Sequence, residues 1–440
     1  MHANEEELLD TYCWSNNTNL DTAKLQVLLQ PLTSEKRWDF ITRCRGISET
    51  TLFTTAVTRN HEHIVNYLLN LLSHEQRFVL LKTKSSRGIA VIHQAIANGY
   101  RNMVKEMLNS VHLNNQSELL KLKSPAGATG LHIAARWGHM EIIKHMLDTT
   151  PPKEWPTLLQ IRDELGVTAV YWALNFYHKE TLKCMLNPVK QEMKCSLLMS
   201  RDLNGNRALR FPGVFNHPEI MEYVLEALSP IMRYNFLKEL DGPGNSFLHI
   251  VAHYGHTQTM KTSLNSVSAR HRCELLKIEG LNRNTVLHTA VTDGHVEIIG
   301  CILDSVLRKH RYKLLKRQQV NGDTCLHIAA AQGNAEKMRC ILNSVSAAER
   351  LKLLEMQKKD GYTVLHLAAR CAHTDIINCV LESVSPAAQV QLLNSLNIFG
   401  KNVLETAVMC YNETTTDCIK QWQTAAEGHC GESSGKVITS

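Results

Sequence analysis

Gly322-Asp323-Thr324-Cys325-Leu326-His327-Ile328-Ala329-Ala330 returns 39 residues later as Gly361-Tyr362-Thr363-Val364-Leu365-His366-Leu367-Ala368-Ala369. The same step carries one mark from Thr51 through Ala90, Thr129, Thr168, Arg207, Ser246, Thr285, Thr324 and Thr363 to Asn402, with no insertion. A period kept this strictly in a chain of 440 residues means one small unit stacked in a row. It overrides the two or three globular domains that length alone suggests.

Each recurring residue has a local reason. A glycine two positions before the mark, as at Gly322 and Gly361, suits a turn that needs positive φ. The threonine at the mark can accept a backbone N–H and cap a helix. Leucine two residues on (Leu131, Leu248, Leu287, Leu326, Leu365) and alanine three later (Ala134, Ala290, Ala329, Ala368) share one side of that helix. A leucine 18 after the mark, from Leu69 to Leu381, closes a second helix. A doublet such as Leu314-Leu315, Leu353-Leu354 or Leu392-Leu393, with Val306, Val345 or Val384 eight residues earlier, predicts a third helix of two turns. No unit can bury such a stripe alone, so stability must come from its neighbours.

The pattern resembles the ankyrin repeat, whose signature is Thr-Pro-Leu-His-x-Ala followed by Gly-His and an apolar helix. His132-Ile133-Ala134-Ala135-Arg136-Trp137-Gly138-His139-Met140-Glu141-Ile142-Ile143 matches through both parts. The resemblance implies an all-α ankyrin-repeat solenoid of about ten stacked units with terminal caps. Units of that family usually have about 33 residues, so each here carries a surplus, placed in the third helix. Residues 1–46 are expected to form an N-terminal helical half-repeat cap, with Leu28-Leu29, Trp38 and Phe40-Ile41 echoing a second and third helix. The array of ten units then spans 47–424, and the glycine- and serine-rich segment 425–440 is expected to be a disordered tail.

Composition excludes little but points one way. A net charge of +6 demands neither nucleic acid nor a membrane surface. No run approaches the ~18 apolar residues of a membrane span, and the acidic start Met1-His2-Ala3-Asn4-Glu5-Glu6-Glu7 predicts no secretory leader. The expected compartment is cytoplasmic, with the nucleus as the alternative, and the expected state monomeric. Five of the 13 cysteines (Cys184, Cys301, Cys340, Cys379, Cys418) share one repeat position. Helices pack ~8 to 10 Å apart, too far for a disulfide between neighbours, so these read as small buried hydrophobes.

The search for chemistry ends in structural readings. Of 22 histidines, six sit at the Leu-His position and seven at the Gly-His position, where the family uses them to hydrogen-bond between turns and units. His61-Glu62-His63 lacks the spacing of a zinc helix, and Gly431-Glu432-Ser433-Ser434-Gly435 lacks the strand and helix that a nucleophile elbow needs. No catalytic, cofactor or metal site is expected. Arg77, Arg233, Arg272, Arg311 and Arg350 form a column that either grips an acidic partner or nucleic acid, or lays its stems on apolar surface with the heads in water.

One column is functional in character. Eight residues after the mark stand Trp137, Phe176, Phe215 and Tyr254, where other units have Arg59, Asn98, Asp293, Gln332 and Cys371. In ankyrin folds this position looks from the first helix into the concave groove, and here Arg136 and His253 flank it. Two readings stand: an exposed aromatic stripe that binds a protein, or rings tucked against Trp172, Tyr177 and Phe211 around the disruptive Phe211-Pro212-Gly213. The expected function is a non-catalytic intracellular scaffold holding a partner protein. The alternatives are an adaptor recruiting other machinery, and nucleic-acid binding through the arginine column.

Overall fold

Seven to nine residues make a helix too short to persist by itself in water, and most helices of this chain are that short. The computed structural model describes residues 22–43, 51–85 and 87–434. Among these, regular structure is helical, joined by isolated antiparallel bridges such as Lys84 with Ala90 and Leu240 with Ser246 at the base of the turns. No described helix is long and apolar enough to cross a membrane. The chain forms an all-α repeat solenoid that divides into two compact bodies, Met1–Phe211 and Pro212–Ser440. The division falls at the Phe211-Pro212-Gly213 disruption.

The first body opens with helices Thr22–Leu29 and Ser34–Thr42, which bury Leu25, Leu29 and Ile41. The rest of the segment expected to cap the array, residues 1–21 and 44–46, lies outside the described residues. Three-helix repeats follow, the first as Leu52–Thr58, Glu62–Asn70 and His74–Lys82. In the third repeat Pro151, Pro152 and Pro156 reduce the last helix to a 3-10 turn, Pro152–Glu154, and the short Trp155–Leu159. Arg207 replaces the capping threonine of the fifth repeat, and its first helix begins as a 3-10 turn, Ala208–Arg210.

The second body shows the unit most cleanly as Val364–Arg370, Thr374–Glu382 and Pro386–Leu393. First helices of neighbouring repeats pack together (Cys325–Ala331 on Val364–Arg370), as do second helices (Ala335–Asn343 on Thr374–Glu382). Between them Leu365, Ala368, Ile376, Ile377, Val380 and Leu381 are sealed from water. Truncating one such leucine to alanine costs ~2 to 5 kcal/mol.

Histidines at two positions of the repeat tie units together where they occur. His366 Nδ1 accepts from the Thr363 N–H at 3.3 Å and lies 2.8 Å from its hydroxyl, while Nε2 lies 3.1 Å from the Lys401 carbonyl of the next repeat. A carbonyl only accepts, so Nε2 carries the proton. His327 reaches Tyr362 O and His249 reaches Asn284 O in the same way, at 3.2 and 3.0 Å. The Gly-His histidine points backward instead: His373 bonds Ala331 O at 3.2 Å and His295 bonds His253 O at 3.0 Å. In the first body His132 reaches forward to Val167 O at 3.1 Å, and His139 back to Ala97 O at 3.3 Å.

The last helix runs from Glu413 to Ser434, longer than the composition of 425–440 predicts. Its packed start explains this: Ile419 and Ala426 are buried, and Trp422 Nε1 donates to Asn378 at 2.8 Å, so the helix propagates from a fixed nucleus. Residues 435–440 of the expected tail lie outside the described ones.

Two predictions follow from this construction. Gly361 and Gly400 hold φ of 73° and 67°, but a Cβ on Gly361 would stand 2.5 Å from the Ile398 nitrogen, whereas one on Gly400 meets nothing within 4 Å. Gly400→Ala should cost about 1 to 2 kcal/mol for the left-handed backbone alone, and Gly361→Ala at least about 1 kcal/mol more; equal shifts in urea midpoint would refute the clash. Burial also lowers the pKa of His93, His288 and His327 from 6.5 to about 4. The unfolded chain then binds more protons than the folded one between those values, so the stability held above pH 6.5 is lost as pH falls toward 4. The slope should be roughly 1 kcal/mol per pH unit for each histidine. Urea titrations from neutral to mildly acid pH measure it, and a flat response would contradict the burial.

Candidate functional site

Within a first helix the residues 1, 2, 5 and 6 after the mark face the interior. In Gly130–Trp137 these are Gly130, Leu131, Ala134 and Ala135, all buried. The residues 7 and 8 after the mark, at the C-terminal end of the same helix, are left on the outer side. Trp137 there is 58% exposed, Phe176 37%, Phe215 55% and Tyr254 49%. Packing therefore does not choose these residues, and the scaffold accepts Asp293, Gln332 and Cys371 at the same place.

In the first body the two rings differ. Phe176 stacks on Trp172 with centroids 5.7 Å apart, and the Arg136 guanidinium lies 5.0 Å from the Trp172 ring and 5.3 Å from that of Phe176. Trp172 is held in turn by its Nε1, which donates to Asp163 Oδ2 at 2.9 Å, while Asp163 Oδ1 accepts the N–H groups of Leu165 and Val167. The His178 ring closes the stack at 6.5 Å from Phe176, and its Nε2 bonds the Arg136 carbonyl at 3.1 Å. Phe176 thus lies against Trp172, one of the three rings the sequence offered for tucking. Phe211 takes Tyr171 instead, edge to face at 5.8 Å.

In the second body Tyr254 stands edge-on to His253 at 4.9 Å and stacks on His256 at 5.8 Å. His253 Nδ1 lies 3.0 Å from Asp293 Oδ2, a pairing across successive repeats. The Asp163–Trp172–Arg136 group and Asp293 complete these two faces, and both were open to sequence reasoning. Trp172 precedes Phe176 by four residues on one helix, and Asp293 shares the column of Tyr254 one repeat on.

The arginine column is spent inside the stack. Arg350 Nε donates to Leu342 O at 3.1 Å, at the end of its own second helix, and Nη1 donates to Ser383 O at 2.6 Å, at the end of the next. Arg77 (Leu69 O, Ser110 O), Arg233 (Leu228 O, Ser266 O) and Arg272 (Val267 O, Ser305 O) repeat the clamp, and Arg311 bonds Ser344 O. The heads, partly exposed, are therefore committed to carbonyls, because the last carbonyls of a helix lack intrahelical partners. Gln116, Trp155 and Gln389 use the same position to donate to Leu108, Leu147 and Leu381.

The cysteines of the repeated column are free thiols. Burial raises their pKa, that of Cys301 to about 11. Among the described residues no group of three or more histidines, cysteines and carboxylates is arranged to hold a metal ion.

Compared with known proteins, the chain matches a family model described as ankyrin repeats in three copies, over residues 53–151, 92–188, 248–347 and 305–392. The stretch left unmatched between 188 and 248 contains Arg207 and the Phe211-Pro212-Gly213 break. A comparison with curated proteins gives no match.

Trp137 is 58% exposed, so Trp137→Ala should change stability by no more than about 0.5 kcal/mol. Phe176→Ala should cost about 1 kcal/mol through its lost ring and guanidinium contacts, and Leu131→Ala about 2 to 5 kcal/mol. Denaturant midpoints rank the three, and a Trp137→Ala loss as large as that of Leu131→Ala would place the indole in the core.

Proposed function

This chain belongs to the ankyrin-repeat family, and from that premise we propose that it is a non-catalytic intracellular scaffold that holds a partner protein on the first-helix faces of its repeats. Ankyrin repeats are generally protein-interaction modules, and their fold is typically non-catalytic. The contact in the first body is Arg136, Trp137 and Phe176, and in the second Phe215, His253 and Tyr254. The observation that carries the reading is the exposure of four large aromatic side chains at one repeat position where other repeats have Asp293, Gln332 and Cys371.

Exposed aromatic groups are costly to leave in water and are enriched where interfaces concentrate their energy. In the first body the Arg136 guanidinium and the Trp172–Phe176 stack are fixed before any partner arrives, which limits the side-chain entropy lost on binding. The adaptor reading shares this surface and differs only in what the partner brings. Nucleic-acid binding through the arginine column is disfavoured, since those guanidinium groups are committed to helix-end carbonyls.

Affinity capture from cell lysate should compare the intact chain with a variant carrying Trp137→Ala, Phe176→Ala, Phe215→Ala and Tyr254→Ala. The variant should keep its helical circular dichroism and lose the principal captured proteins. A folded variant that retains every one of them would falsify the assignment.

A further inference from the structure

In the second body, helix Pro230–Lys238 lies against Ala269–Leu275, and Arg308–Leu315 against Ala347–Leu354. Between Ala269–Leu275 and Arg308–Leu315, however, a cleft of about 610 Å³ opens. Its lining combines apolar Cys273, Val306 and Leu307 with the cations Lys277 and Lys313 and the His310 imidazole. A volume of this order accepts several side chains of a ligand.

The helix on one wall is built against its own stability. Arg308-Lys309-His310-Arg311-Tyr312-Lys313-Leu314-Leu315 contains no acidic residue, and Lys316 and Arg317 follow it. Three basic side chains occupy the first turn, where the unpaired N–H groups already concentrate positive charge. Its N-cap is Leu307, which gives no side-chain cap and is 61% exposed, where the neighbouring third helices use the capping serines Ser268 and Ser346. An arrangement that a helix would not choose for itself is intelligible if an anion completes it.

Most nearby cations already have partners: Arg270 pairs with Glu274, Arg311 with Asp304 and Ser344 O, and Lys316 lies over the Tyr312 ring. Lys277 and Lys313 have none among the described residues. We infer that this cleft is a second docking site, which takes an acidic segment of a partner protein bearing an apolar side chain. The carboxylates of Glu274 and Asp304 also line the cleft and would repel a continuous chain of phosphates. Single-stranded nucleic acid also needs aromatic platforms for its bases, and the lining offers only the His310 imidazole. An acidic segment needs no base platform, and it can place separate carboxylates on Lys277 and Lys313, spaced away from Glu274 and Asp304, with an aliphatic group on Val306 and Leu307.

Fluorescence anisotropy of the full chain with a labelled peptide of repeated Glu-Glu-Leu tests this. The corresponding Lys-Lys-Leu peptide, oligouridine and vesicles of phosphatidylserine with phosphatidylcholine serve as competing probes. The acidic peptide should bind best, and Lys277→Glu with Lys313→Glu should weaken it about tenfold or more while Lys105→Glu, in the other body, leaves it unchanged. All these side chains lie at the surface, so the variants should keep the wild-type circular dichroism. Equal affinity of the charge-reversed chain overturns the proposal, as does tighter binding of oligouridine or vesicles, or no binding of the acidic peptide. Loss of the peptide from the quadruple aromatic variant would equally assign it to the first-helix faces instead.

Discussion

No helix of a repeat here can keep its shape without the repeat beside it, and the rest of the structure follows from that dependence. Val364–Arg370 has seven residues and fewer than two turns, so its apolar side must be covered before it is a helix at all. Alanine at Ala329 and Ala368 lets successive first helices approach closely, while Ile376, Ile377 and Leu381 join the second helices. The polar cost of such close approach is met by histidine. His327 closes its own helix N-terminus through Thr324 and spends its other ring nitrogen on the next repeat, so cap formation and repeat stacking are one event. That role requires a neutral ring, which is why burial holds these imidazoles below their ordinary pKa.

The third helix answers a second requirement of the same kind. A second helix ends with carbonyls that its own backbone cannot satisfy, and in a stack those ends lie beside one another. The donor at the arginine position supplies two ends at once in Arg77, Arg233, Arg272 and Arg350. Gln116, Trp155 and Gln389 preserve the N–H to their own second helix. What recurs is a donor rather than a charge. The residues that lengthen each repeat beyond the usual ankyrin unit therefore build a brace along the outer edge of each body.

Much of this was legible because the period multiplies every local signal. The marks, the glycine turns and the leucine doublets each recur in phase, and the helices lie where that phase puts them. The histidines could be read as structural for the same reason. The arginine clamp was not legible, because a sequence shows which residues share a column but not that helix-end carbonyls face it. The contrast between Trp137 and Phe176 was hidden differently. Both occupy one column, yet only Phe176 has a tryptophan one turn earlier, pinned by Asp163. The helix past Ala426 was missed because glycine and serine report local preference, whereas Ile419 and Trp422 anchor the element from a distance.

Positions in such a stack are not equally free to specialise. In a repeat whose interior, caps and helix ends are all assigned, few places remain where a side chain can change without cost to the stack. The outer end of the first helix is one, since Trp137, Tyr254, Asp293 and Gln332 all occupy it on intact repeats. The exposed side of the third helix is another, where Lys313 stands beside a clamp that needs only Arg311. A solenoid thus separates the residues that build it from those that can specialise. Exposed aromatic side chains in each body, and a basic cleft in the second, are what such a separation leaves free to vary.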